Sequence, residues 1–76
     1  MTNIKFIKIN YINDIKEFIA EATKVNGDVL VKKGSHCVDG TSVLGMFSLD
    51  TSQGVSVEYP SDAVEFDQYL NKFVGE

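Results

Sequence analysis

Few side chains in this 76-residue chain are equipped for chemistry. There is one histidine, His36, one cysteine, Cys37, and a hydroxyl-bearing run, Asp39-Gly40-Thr41-Ser42, that opens directly onto Val43-Leu44-Gly45-Met46-Phe47-Ser48-Leu49. A serine at the mouth of a short apolar helix has two uses. Its oxygen can accept a hydrogen bond from a free amide of the first turn, or it can carry a phosphate that those amides and the helix dipole hold. Phosphorylation there adds about −1.5 to −2 of charge without disordering the helix. Asp39-Gly40-Thr41-Ser42 is equally a good capping run, so both uses stand on the residues alone. Met46 and Phe47 read as core rather than as contacts to a cofactor.

The other candidates are weaker. His36 is a lone imidazole in a short strand-like run, a setting that favours a surface or packing role over a proton or phosphoryl relay. Cys37 has no acidic or histidine partner in a recognisable motif. A single cysteine cannot form an internal disulfide, and a small domain built without disulfides points to a reducing compartment. A net charge of −4 argues against direct nucleic-acid binding, which needs a basic patch. The apolar runs are a few residues long, against the ~20 needed to span a bilayer, and Met1-Thr2-Asn3-Ile4-Lys5 begins no secretory signal. The expectation is a cytoplasmic protein with no cofactor, no metal and no enzymatic activity of its own. At 43% hydrophobic and 24% charged, residues 1–76 have the composition of one globular domain. A chain of this size buries only roughly 60% of the surface it exposes when unfolded, so each apolar residue counts.

Hydrophobic periodicity supplies the elements that must position these residues. Ile4-Lys5-Phe6-Ile7-Lys8-Ile9 predicts a first strand with Ile4 and Phe6 on one face and Lys5 on the other, while Ile7 and Ile9 break the alternation and imply a twist, a bulge or two buried faces. Ile12, Ile15, Phe18, Ile19 and Ala22 recur at helical spacing, with Asn10 or Asn13 as N-cap and Gly27 suited to a left-handed C-terminal position. Asp28–Lys33 and His36–Val38 predict a hairpin turning at Gly34-Ser35. Val43–Leu49 is the short helix, and Gly54–Tyr59 a fourth strand with Val55, Val57 and Tyr59 on one face. Pro60 ends that strand and Ser61 or Asp62 caps a last helix carrying Ala63, Phe66, Leu70 and Phe73, flanked by Tyr69. The order is βαββαβα. Amphipathic helices need a sheet face to cover, so the expected fold is an α+β open-faced β-sandwich, a four-stranded antiparallel sheet with helices on one face.

This element order, together with Ser42-Val43-Leu44-Gly45-Met46-Phe47-Ser48-Leu49, resembles the HPr-like family, named for the histidine-containing phosphocarrier of the bacterial sugar phosphotransferase system. The family segment runs serine, an apolar pair, glycine, two apolar residues and Ser-Leu. Gly34 in the hairpin and Gly54 before the fourth strand fit as well. One ungapped register carries the match from the first strand to the fourth. The resemblance implies a histidine at the N-terminus of the first helix, with arginine two residues later and then proline. That histidine accepts a phosphoryl group from phosphoenolpyruvate through an upstream enzyme. In this chain the register puts Tyr11 in the histidine's place, Asn13 in the arginine's and Asp14 in the proline's, and no histidine precedes residue 36. A phenol ester lacks the transfer potential of a phosphoimidazole. Asp14, Glu17 and Glu21, mixed with Lys16 and Lys24, thin the basic face that an acidic upstream enzyme needs. The implied result is a member unable to carry phosphate on histidine.

What the resemblance retains is Ser42. In Gram-positive members the serine at this position is phosphorylated by an ATP-dependent kinase, and the modified protein partners a transcription regulator of carbon-source use. The implied role is a regulatory or binding paralogue in the phosphoenolpyruvate-dependent sugar phosphotransferase system, tied to catabolite repression. Ser42 would be its phosphorylation site, Val43, Leu44 and Phe47 its partner-binding residues, and a serine kinase and a carbon-catabolite transcription regulator its protein partners. Thr41 stands where the family commonly has a basic residue, and Asp39-Gly40 where it has Asn and a small or apolar residue. Asp39 thereby sets a negative charge close to the incoming phosphate. Two other readings stay open: a phosphocarrier using a non-standard residue, and an interaction scaffold unrelated to sugar transport.

Overall fold

The computed structural model describes residues 1–74. The order is β1 (Thr2–Ile7), α1 (Ile12–Thr23), β2 (Leu30–Lys33), β3 (His36–Asp39), α2 (Val43–Ser48), β4 (Val55–Pro60) and α3 (Val64–Leu70), with single 3-10 turns at Thr51–Gln53 and Asn71–Phe73. The strands form one antiparallel sheet in the order β1-β4-β2-β3. This is the expected βαββαβα open-faced sandwich.

The inner face of the sheet follows from β4, whose Val55, Val57 and Tyr59 are buried. Ile15, Phe18 and Ala22 of α1, Met46 of α2, and Phe66 and Leu70 of α3 close on it. Phe66 sits edge-on to both Phe18 and Tyr59, with ring centroids 5.6 and 5.5 Å away, a favoured aromatic geometry.

β1 differs from its expected orientation. Lys5 lies opposite Val57 and Ile7 opposite Val55, so Asn3, Lys5 and Ile7 face the helices. Ile4 and Phe6 stand on the open face, 63% and 55% exposed. No bulge is needed. Ile7 and Ile9 continue the Lys5 set, and the strand simply ends at Ile7. Both alternate sets of β1 contain apolar residues, so its register against β4, not its own pattern, decides which set turns inward.

The caps also differ. Tyr11, not Asn10 or Asn13, is the N-cap of α1, and no side chain caps that end. Ala63, not Ser61 or Asp62, precedes α3, again without a side-chain cap. Gly27 does adopt a positive φ, +142°, but several residues beyond Thr23, where a Cβ would lie 2.7 Å from the Pro60 ring. Gly34, at φ +59°, opens the two-residue hairpin turn as expected.

The 3-10 turn at Thr51–Gln53 was not signalled by periodicity, and it ties two distant parts of the chain. Thr51 is the buried polar residue of the described core. Its hydroxyl donates to the Ile9 carbonyl at 2.8 Å, and its own carbonyl accepts from the Ile9 amide at 3.0 Å. This pair clamps the segment entering α1 against the segment leaving α2.

Candidate functional site

Two helix mouths hold the residues singled out in the sequence. At α2, Ser42 is the N-cap in extended backbone, and its Oγ accepts from the Gly45 amide at 3.0 Å. Asp39 braces the approach. One of its carboxylate oxygens accepts from the Thr41 amide at 2.8 Å and the Thr41 hydroxyl at 2.7 Å. Those two bonds hold the Asp39 carboxyl below the usual carboxylate range, so it stays ionised beside the serine. The Ser42 amide donates to the Asp39 carbonyl at 3.0 Å. A Cβ at Gly45 would stand 3.0 Å from Val38 Cβ and 3.2 Å from Ser42 Oγ. The glycine therefore lets α2 lie close on β3 while Ser42 reaches its amide.

Six residues of helix have room to bury one narrow stripe, and Met46 takes it. Phe47 is 41% exposed, so it belongs to the surface rather than the core, against one of the two roles its sequence pattern allowed. With exposed Val43 and Leu44, the latter 86% accessible, it forms the apolar surface of the helix that the serine caps.

At α1, Tyr11 is exposed and its carbonyl accepts from the Asp14 and Ile15 amides, each at 3.1 Å. Asn13 is exposed and Asp14 half-buried. A cleft of about 400 Å³ opens beside them, bounded by Lys8, Asn10, Tyr11, Asp14, Lys72 and Phe73. Lys8 and Lys72 were not singled out by sequence pattern. Lys72 lies some sixty positions from Tyr11, and no local signal could have joined them. The Lys72 ammonium is held over the Tyr69 and Phe73 rings, 5.1 and 5.4 Å from their centroids, and pairs with Glu17 at 3.2 Å.

α1 and α2 pack against each other. His36 does not join them. It lies exposed on β3, the sheet edge opposite to the β1 end that feeds α1. Cys37 is also exposed, on the open face opposite Lys32. Among the described residues no group of three or more His, Cys, Asp or Glu side chains is placed to hold a metal ion, and no helix is long and apolar enough to cross a membrane.

Comparison with solved structures settles the architecture. The chain superposes on the phosphocarrier protein HPr from Bacillus anthracis with a TM-score of 0.74, covering 97% of this chain and 98% of that one at 21% identity. The fold is HPr-like. HPr-C-His from Thermoanaerobacter tengcongensis gives a TM-score of 0.69 at 24% identity, covering 97% of this chain and 90% of that one. No family model matches the sequence, and no curated protein matches it. The HPr-like resemblance is thus carried by backbone architecture, with little sequence identity beneath it. The mouth of α1, where the resemblance calls for histidine, arginine and proline, holds Tyr11, Asn13 and Asp14.

Proposed function

We propose that this chain is an HPr-like protein of the phosphoenolpyruvate-dependent sugar phosphotransferase system that acts by binding, as a regulatory paralogue, and not as a histidine phosphocarrier. The observation that carries this reading is the contrast at the two mouths: no imidazole stands at α1, while a serine caps α2, a helix that exposes Val43, Leu44 and Phe47.

At α1 the missing nucleophile has no substitute. Tyr11 presents a phenol whose phosphate ester would be a poor donor, and Asp14 places a carboxylate in the cleft that an incoming phosphoryl group would have to enter. At α2 the chemistry is simple. Transfer of the γ-phosphoryl of ATP to Ser42 Oγ, with loss of the hydroxyl proton and release of ADP, converts the cap into a phosphate ester at a helix N-terminus. The first-turn amides and the dipole favour that charge. The new dianion would sit at the end of the helix that exposes Val43, Leu44 and Phe47. A partner would then need one cation for the phosphate and one apolar pocket for Leu44, an arrangement that reads modification state and surface shape together. A serine kinase and a carbon-catabolite transcription regulator are the partners this implies, with nucleic acid reached only through the regulator.

The test is the intact mass of the purified protein after two treatments, ATP with a serine kinase of a Gram-positive phosphotransferase system and phosphoenolpyruvate with the upstream phosphotransferase enzyme. One phosphoryl group in the ATP arm alone, lost in Ser42→Ala, is the expected result. A gain in the phosphoenolpyruvate arm would replace this reading with a carrier on an unusual residue. No gain in either arm would leave Ser42 as a cap and the protein as a scaffold.

A further inference from the structure

β1 is a sheet edge, and it has few of the usual defences of one. It is six residues long, contains no proline, and pairs one-to-one with β4 from Thr2 to Ile7 without a bulge. Ile4 and Phe6 add exposed apolar side chains on the open face. Such a strand is a template for a second strand. The opposite edge, β3, is short at four residues and carries His36 and Asp39.

The hydrogen-bonding direction of β1 is readable from its two ends. The Met1 carbonyl accepts from the Ser61 amide, while the Lys8 amide donates to the Phe73 carbonyl on the other side. Backbone groups alternate direction along a strand, so Asn3, Lys5 and Ile7 bond to β4, and Thr2, Ile4 and Phe6 direct theirs outward. Among the described residues, the outer side of β1 is bridged only at Ile7, by Val74.

Asn3 and Lys5 put polar side chains on the inner face of β1. Lys5 points inward, under α3. Its ammonium lies 3.1 Å from an Asp67 carboxylate oxygen and donates to the Asp67 carbonyl at 3.1 Å and to Asn71 Oδ1 at 2.5 Å. Its side chain keeps 24% of its surface accessible.

We propose that Lys5 is the guard of this edge, keeping a second copy of the chain from adding its own β1 alongside. The antiparallel register centred on Ile4 sets Ile4 against Ile4 of the second copy. It brings the two Lys5 side chains together as diagonal neighbours on the inner face, about 7–8 Å apart. Sliding to set Ile4 against Phe6 of the second copy places the two lysines directly opposite. Either way the added strand brings two like charges together on the inner face and removes accessible surface from the Lys5–Asp67 pair, and both costs oppose assembly. In the lone chain the same lysine costs little, because it stays partly accessible to water while paired with Asp67.

The experiment is sedimentation equilibrium on the full chain and on Lys5→Leu, Lys5→Gln and Lys5→Arg, each checked for a cooperative melt. Lys5→Gln retains polar contacts to Asp67 and Asn71 without the charge, and so keeps the test alive if Lys5→Leu does not fold. The parent chain and Lys5→Arg are expected to stay monomeric to about 1 mM, while the neutral variants associate at least about tenfold more tightly. Adding Ile4→Lys to either neutral variant should restore the monomer, and the Ile4 amide should gain exchange protection only in the associating variants. A folded Lys5→Gln that is as monomeric as the parent overturns the proposal. So does a parent chain that already dimerises, or association that Ile4→Lys leaves intact.

Discussion

The mouths of α1 and α2 are the same structural object built in two ways. The first turn of α1 is closed by backbone alone, with Tyr11 contributing a carbonyl and an exposed ring, and lysines from β1's end and the C-terminal turn stand around it. The mouth of α2 is closed by a side chain, Ser42, preceded by the bonded pair Asp39 and Thr41 and followed by exposed apolar residues. A twelve-residue helix anchored by Ile15, Phe18 and Ala22 does not depend on a cap for its existence, whereas a six-residue helix with one buried residue does. What stays chemically available at α1 is polar space, and at α2 a single hydroxyl on a hydrophobic platform.

That contrast breaks most sharply through the anchor of α2. Met46→Ala should cost about 2–5 kcal/mol in denaturant titrations, because it empties a fully buried site. Leu44→Ala on the same helix should stay within about 0.5 kcal/mol, its effect confined to partner binding. If the two cost the same, α2 is not anchored as described. Next comes the clamp between the entry to α1 and the exit from α2. Thr51→Val deletes a buried hydroxyl bond to the Ile9 carbonyl and should cost about 1–3 kcal/mol, with faster amide exchange at the start of α1. The caps themselves should separate by less. Ser42→Ala should lose about 1 kcal/mol, and Tyr11→Ala, whose side chain caps nothing, should be near neutral by thermal melting.

The smallest effects are those of pH. Asp39 has its pKa lowered by its bonds from Thr41, so the stability it lends is present above the unfolded carboxylate value near 4 and is lost as pH falls below it. Asp39→Asn should flatten that acid limb in a pH series of melts. Tyr59 behaves oppositely. Burial first, then the bond it donates to Asp67, pushes its pKa up to about 12. Its contribution is complete below the ordinary tyrosine value near 10 and is lost as pH rises from there through about 12. Tyr59→Phe should remove that alkaline loss.

Much of the candidate site was legible because its signals are local. Ser42 followed three residues later by Gly45, and an apolar run behind them, specify a capped short helix whatever the rest of the chain does. Val55, Val57 and Tyr59 alternate with polar neighbours, so only one face of β4 can be buried. Lys8 and Lys72 at the α1 mouth left no such trace, since they meet Tyr11 only after the C-terminal turn docks against the end of β1. Thr51 left none either. A threonine in a connecting segment reads as solvent-exposed until Ile9 is brought over it.

By itself the sequence determined the order of the elements, the inward face of β4, the serine cap of α2 and the lack of an imidazole before residue 36. Each of these depends on neighbours within one or two turns. Tertiary structure alone decided that β1 turns Lys5 inward and Ile4 and Phe6 outward, that Phe47 is surface, and that Thr51 and Ile9 lock the entry to α1 against the exit from α2. Strand register and helix docking are contests between distant segments, and where both faces of a segment carry apolar side chains, only the partner across the sheet chooses between them.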